Sequence, residues 1–154
     1  GASKEDMERL LEEIFRELAE HARKAGVVIM LEGSSPKYTN LVNSNEEVMA
    51  WVERIGSPSF SVMMDTDQLR TAEPSIEHGI RATRGQAHHI HLYDPNHWPP
   101  RILPEKDALD WPHIARILQV EDFTGSASIA LAPEGDPEFV APKAVAYMRR
   151  IFDK

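Results

Sequence analysis

The feature that most constrains this chain is a pattern that comes four times: a short apolar run, a polar loop, then an amphipathic helix. The runs are Val27-Val28-Ile29-Met30-Leu31-Glu32, Phe60-Ser61-Val62-Met63-Met64-Asp65, Ala87 to Tyr93 and Ser126 to Leu131. A helix between two strands returns the chain to the same end of the sheet, so the next strand runs parallel to the last, with a right-handed crossover. The continuous apolar character of the runs predicts strands buried on both faces. The expectation is an α/β fold of parallel βα repeats: one helix, then (βα)4.

The helices are marked by their periods and their ends. Met7, Leu10, Leu11, Ile14, Phe15 and Leu18 recur at i, i+3, i+4 spacing after a Ser3/Asp6 start signal, and Gly26 ends the segment. Ser44 and Glu47 form a capping box ahead of Val48, Trp51, Val52 and Ile55, which Gly56 and Pro58 stop. A loop and a helix around Ser75 to Thr83 follow the second strand, closed by Gly85. A Pro-rich loop from Asp94 to Ala108 leads to Asp110, an N-cap for Trp111, Ile114, Ala115, Ile117 and Leu118. Pro142 is expected near the start of the last helix, which carries Val145, Met148, Ile151 and Phe152 on one face. Met30, Met63 and Met64 read as core residues, and Trp51 as the anchor of its helix on the sheet.

Charge and composition narrow the function classes. With 17 Lys+Arg against 25 Asp+Glu the net charge is −8, which disfavours nucleic acid and anionic membranes as partners. No apolar run approaches the roughly 20 residues of a transmembrane helix. There is no Cys, which removes disulfides, thiolate nucleophiles and Cys-type zinc sites and fits a cytoplasmic location. Gly1-Ala2-Ser3 reads as a cloning remnant, so residues 1–3 are set apart from a single domain over 4–154.

Parallel sheets gather their functional groups at the carboxyl ends of the strands. There the chain carries Glu32, Asp65 and His91 on three successive strands. Two carboxylates and an imidazole suit a divalent cation, Mn²⁺, Mg²⁺, Co²⁺ or Zn²⁺. The competing explanation is that each acid simply caps the following helix. His89 shares a strand face with His91, whereas His88 points to the opposite face and reads as a core histidine.

Taken in order, "VVIMLE" with "TNLVNSNEEVMAWVERIGSP", "FSVMMDT", "HHIHLYDPNHWPP", "LDWPHIARIL" and "FTGSASIAL" resemble the carboxyl-terminal half of the xylose isomerase-like TIM barrels, the sugar phosphate isomerase/epimerase superfamily. The resemblance implies a half-barrel and a metal-dependent isomerase or epimerase acting on a small keto-sugar, polyol or hydroxyacid. It implies Glu32, Asp65 and His91 as metal ligands, Glu32 as the proton-transfer residue beside a metal-polarised carbonyl, and substrate contacts from Tyr38, Gln68, His89, Asn96, His97 and Trp98. Some positions depart from the family pattern. Ala130 stands where a fourth ligand, a Glu, is expected, with Glu134 four residues on. Gln68 replaces a His, Tyr38 replaces a substrate-contacting Glu, and Asn96 is followed by His97 rather than Arg. Trp98-Pro99-Pro100 reads either as a lid over a sugar or as a rigid loop on the rim. A zinc nuclease of the same barrel type would need a basic groove and more histidine ligands.

A full barrel needs eight strands and at least about 200 residues. Four strands leave two open edges, so the expected partners are a second copy forming a homodimer or a missing amino-terminal half. The alternative function is a catalytically incomplete half-barrel serving as a structural or binding module.

Overall fold

The computed structural model describes residues 3–93, 109–130 and 136–152. Its elements run α1 (Lys4–Ala25), β1 (Ile29–Glu32), α2 (Asn45–Ile55), β2 (Phe60–Asp65), α3 (Thr66–Ala72), α4 (Ile76–Ala82), β3 (Ala87–Leu92), α5 (Trp111–Val120), β4 (Ser126–Ile129) and α6 (Pro137–Phe152). The four strands form one sheet in the order β1-β2-β3-β4, and every neighbouring pair is parallel. The expected α plus (βα)4 arrangement is therefore the architecture of the described chain.

Local signals act where the sequence places them. Ser3 Oγ accepts from the Asp6 N–H at 3.1 Å to start α1, and Gly26 ends it in the left-handed region at φ 69°. At α2, Ser44 Oγ accepts from the Glu47 N–H while the Glu47 carboxylate accepts from the Ser44 N–H, both at 3.2 Å. Asp110 Oδ1 accepts from the His113 N–H at 3.0 Å at the head of α5. Trp51 bridges helices as well as reaching the sheet. Its ring meets Phe15 of α1 edge-on at 5.4 Å, and Phe15 in turn packs at 5.2 Å on Phe60 of β2.

The sheet has two unlike faces. Phe60, Val62 and Met64 of β2 and Ile90 and Leu92 of β3 are buried in one core with Val48, Met49, Trp111 and Ile114 from the helices. The opposite, inner face presents Met30 and Glu32, then Met63 and Asp65, then His89 and His91, then Ser126 and Ser128. These residues are half-buried or exposed. The sheet is thus closed by helices on one side only.

Several expectations need correction. The strands are not buried on both faces, because no described element covers the inner one: Met64 is core, but Met30 and Met63 are half-buried on the inner face. Val27 and Val28 precede β1 and are exposed, 53% and 40%. The segment after β2 holds an extra helix, α3, which the sequence pattern did not reveal because its seven residues are too few to show a period. Pro142 lies inside α6 rather than near its start, which is at Pro137. His88 is exposed instead of buried. The reason is a β-bulge: Val62 pairs with Ala87 but Met63 pairs with His89, so His88 is the extra residue and is turned out of the ladder.

Gly125 leads into β4 under a tight restraint. A Cβ there would lie 2.4 Å from the His88 carbonyl oxygen, so only glycine lets the chain enter the sheet at this point. No described helix is long and apolar enough to cross a membrane.

Candidate metal centre

The bulge at His88 does more than expel one side chain. Without it, the pairing of Val62 with Ala87 would carry forward to set Asp65 beside Ile90. With it, Asp65 pairs with His91 and the two side chains share the inner face. Glu32 ends β1 two rows earlier, paired with Met63, and completes the group. One ligand atom from each of Glu32, Asp65 and His91 lies within 4.8 Å of the others.

Asp65 performs two tasks with its two oxygens. Oδ1 accepts from the N–H groups of Asp67 at 2.7 Å and Gln68 at 3.2 Å, capping α3. Oδ2 faces His91, 3.8 Å from Nδ1. The helix-capping explanation of this acid is therefore realised on Oδ1, which leaves Oδ2 facing the cluster. Thr66, the next residue, is fully buried and locks the end of β2 to the end of β3. Its hydroxyl donates to the Tyr93 carbonyl and accepts from the Tyr93 N–H, both at 2.8 Å.

The electrostatics favour a cation. Burial pushes the Glu32 carboxyl above its ordinary range, the Asp65 carboxylate pushes it further, and His91 partly offsets both. Asp65 is also raised by burial, against the pull of the Gln68 and Asp67 N–H groups and of His91. Two half-buried carboxylates facing one imidazole are short of positive charge, and a divalent ion placed among them would relieve it. The donor set, two carboxylate oxygens and one imidazole nitrogen, fits Mn²⁺, Mg²⁺, Co²⁺ or Zn²⁺ in chemistry and spacing.

The other expected site residues divide into three groups. His89 lies on the inner face beside His91, their rings perpendicular with centroids 5.2 Å apart. Both of its ring nitrogens are engaged: Nδ1 lies 2.7 Å from Ser126 Oγ, and Nε2 2.8 Å from Ser128 Oγ. Burial, and to a lesser extent His91, lowers its pKa. Gln68 sits in the first turn of α3, and its Oε1 is buried with no hydrogen-bond partner among the described residues. Tyr38 is 73% exposed on the loop after β1, with Lys37 Nζ 5.3 Å from its ring centroid, and is not packed against the trio. Asn96, His97 and Trp98 lie outside the described residues, as does Glu134. Ala130, by contrast, is described. Its N–H extends the ladder to the Leu92 carbonyl at 2.9 Å, and its side chain offers no ligand atom. Sequence reasoning missed Ser126 and Ser128, whose only signal was their alternation along β4 opposite His89 and His91.

A parallel half-barrel with its polar cluster at the strand carboxyl ends has the layout of a β/α barrel. The chain belongs to the xylose isomerase-like TIM barrel family, whose model matches residues 1–151. It is 30% identical over 113 residues to a D-psicose 3-epimerase of Enterocloster bolteae, which covers 73% of this chain and 36% of the relative. It is 29% identical over 123 residues to a D-psicose 3-epimerase of Ruminiclostridium cellulolyticum, 80% of this chain and 40% of that one. The chain thus spans well under half the length of these relatives. Among solved structures, the fold matches D-psicose 3-epimerase with D-tagatose from Clostridium cellulolyticum H10 at a TM-score of 0.85 and 21% identity, over 99% of this chain and 58% of that one. It matches the IOLI protein with a zinc atom at a TM-score of 0.71 and 19% identity, over 98% and 56%. At these identities the structural likeness is one of fold. It maps the four βα units onto just over half of a TIM barrel chain.

Proposed function

We propose that this chain is the metal-bearing half of a divalent-metal-dependent isomerase or epimerase that acts on a small keto-sugar, polyol or hydroxyacid. The observation that carries the reading is the convergence of Glu32, Asp65 and His91 within 4.8 Å at the carboxyl ends of three parallel strands. Its sugar class is supported by the D-psicose 3-epimerases among the relatives. Glu32, Asp65 and His91 would hold the ion. When bound, the ion polarises a substrate carbonyl and so acidifies the neighbouring C–H.

In this reading Glu32 is the proton-transfer residue. Proton transfer by a positioned carboxylate of this kind contributes about 10²–10⁴-fold in rate. Asp65 is pinned through Oδ1 by α3 and presents only Oδ2, so it serves as a fixed ligand rather than a mobile base. Ala130 supplies no carboxylate from β4. Among the described residues the chemistry available is therefore one-base: Glu32 removes a proton and returns it on the same face, as in an aldose–ketose isomerisation, or delivers it to a leaving hydroxyl, as in a dehydration. A two-base epimerisation would need its second group from outside the described residues.

The domain over 4–154 is proposed to act within a closed barrel, completed by a further segment of chain or by a second copy. Both free edges support this. An apolar stripe of Leu10, Ile14 and Leu18 is exposed on α1. At the other edge a groove of about 630 Å³ opens between β4 and α6, lined by Leu92, Phe123, Ile129, Val145 and Met148 among others. A cytoplasmic location belongs to the same proposal.

The test is isothermal titration with Mn²⁺ on the parent, Glu32→Ala and His91→Ala, followed by a screen of ketoses and inososes for product. Micromolar binding that is lost in both variants is the expected result. A parent that takes up no Mn²⁺ rejects the metal reading for this chain. The second reading, a half-barrel that binds without catalysis, rests on Ala130. It predicts metal uptake with no turnover of any sugar even after the barrel is completed.

A further inference from the structure

The inner face carries a second group of polar side chains beside the metal ligands. His89 of β3 lies across two serines of β4, with Nδ1 2.7 Å from Ser126 Oγ and Nε2 2.8 Å from Ser128 Oγ. The register explains the fit. His89 pairs with Ser126 and His91 with Ser128, so the two hydroxyls follow one another along the face that His89 occupies. A ring held at both nitrogens cannot turn about its last side-chain torsion without breaking a hydrogen bond. Whichever tautomer it adopts, both ring nitrogens are already taken, so neither is free for a substrate oxygen.

What His89 does touch is His91. The two rings are perpendicular at 5.2 Å. On the ligand side, His91 has Asp65 Oδ2 3.8 Å from Nδ1. The serines themselves are exposed, and what they hold is His89. We propose that Ser126, His89 and Ser128 form a clamp that positions the ring of His91 toward Glu32 and Asp65. In this role His89 is a positioning residue and not a contact to substrate. Outer partners hydrogen-bonded to a ligating imidazole contribute about 10–100-fold in metal affinity, and a ring contact such as that of His89 is expected at the low end of that range.

The use of this clamp in metal binding rests on the function proposed above, whereas the orientation of His91 can be read without any metal. The experiment uses the full chain, Ser126→Ala/Ser128→Ala and His89→Phe, with Ser128→Thr as the conservative control. Histidine side-chain NMR of the metal-free proteins is expected to show the His91 ring resonances moving toward free-histidine positions in the double variant and to stay near the parent in Ser128→Thr. Titration with Mn²⁺ is expected to show about ten-fold weaker binding in the double variant and in His89→Phe, and near-parent binding in Ser128→Thr. The visible spectrum of the Co²⁺ form should change with the affinity, which a mere loss of strand stability would not produce. His91 resonances that stay in place when both hydroxyls are gone would overturn the clamp. Resonances that move in a protein whose parent form binds no Mn²⁺ would uphold the clamp and reject the metal reading.

Discussion

The carboxyl ends of β1, β2 and β3 each present a side chain with a ligand atom, Glu32, Asp65 and His91, whereas the end of β4 leads into Ala130, a methyl group. The two regions belong to one parallel sheet with continuous pairing, and Ala130 even extends the ladder by its N–H to Leu92. Backbone geometry is therefore indifferent to whether a strand end ligates or stays blank. The polar capacity of β4 lies two and four residues earlier, in Ser128 and Ser126, and is directed sideways to His89. One region gathers possible ligand atoms and the other holds His89, which shows that a fold and its side-chain chemistry are separable along a single sheet.

The sharpest break of that comparison is removal of a ligand. Glu32→Ala or His91→Ala should lower Mn²⁺ affinity by about 100-fold or more, while Ala130→Gly leaves it at the parent value; calorimetry reads all three. In the opposite direction, Ala130→Glu adds a carboxylate at the blank strand end and should tighten Mn²⁺ about ten-fold, or 1.4 kcal/mol. No gain would mean that the side chain at residue 130 does not reach the ion. Gly125→Ala tests what β4 needs to join the sheet at all. Its Cβ would press on the His88 carbonyl, and a loss of about 1–3 kcal/mol is expected in urea unfolding.

Asp65 separates its two tasks through a pair of variants. Asp65→Asn keeps a capping oxygen for α3 and should unfold close to the parent while losing metal affinity. Asp65→Ala should lose the affinity and about 1 kcal/mol of stability as well.

The smallest effect is a pH dependence in the metal-free protein. Burial and Asp65 raise the Glu32 carboxyl above the ordinary carboxylate range, so the folded chain holds that proton more tightly than the unfolded one. Stability from this residue is present below the unfolded value and falls as pH rises through the raised folded value. Glu32→Gln should therefore gain thermal stability over the parent above that window, and the gap should close in acid. Equal melting temperatures at every pH would argue against a strained Glu32.

Much of the molecule was legible in the sequence because its signals are local. The Ser3, Ser44 and Asp110 caps, the Gly26 stop and the α1 period each depend on residues within a turn or two. β2 begins and ends where its apolar run does, at Phe60 and Asp65. The trio was legible as residue types at strand ends, but not as a cluster. The seven residues of α3 were hidden because they are too few to show a period, and its cap, Asp65, reads first as the end of a strand. His88 was misplaced because strict alternation assigns it to the core side, and nothing near it in sequence marks a bulge.

Hydrophobic period and capping chemistry were sufficient, with no tertiary information, to make this chain an α/β fold of parallel βα repeats with two acids and a histidine at successive strand ends. The packed structure alone settled the pairing of Asp65 with His91, the division of the Asp65 oxygens between helix and cluster, and the capture of His89 by Ser126 and Ser128. The physical reason is one of range. Alternation along a strand is a property of neighbouring residues, but register between strands is set by contacts across dozens of residues, and one extra residue turns every following side chain to the other face.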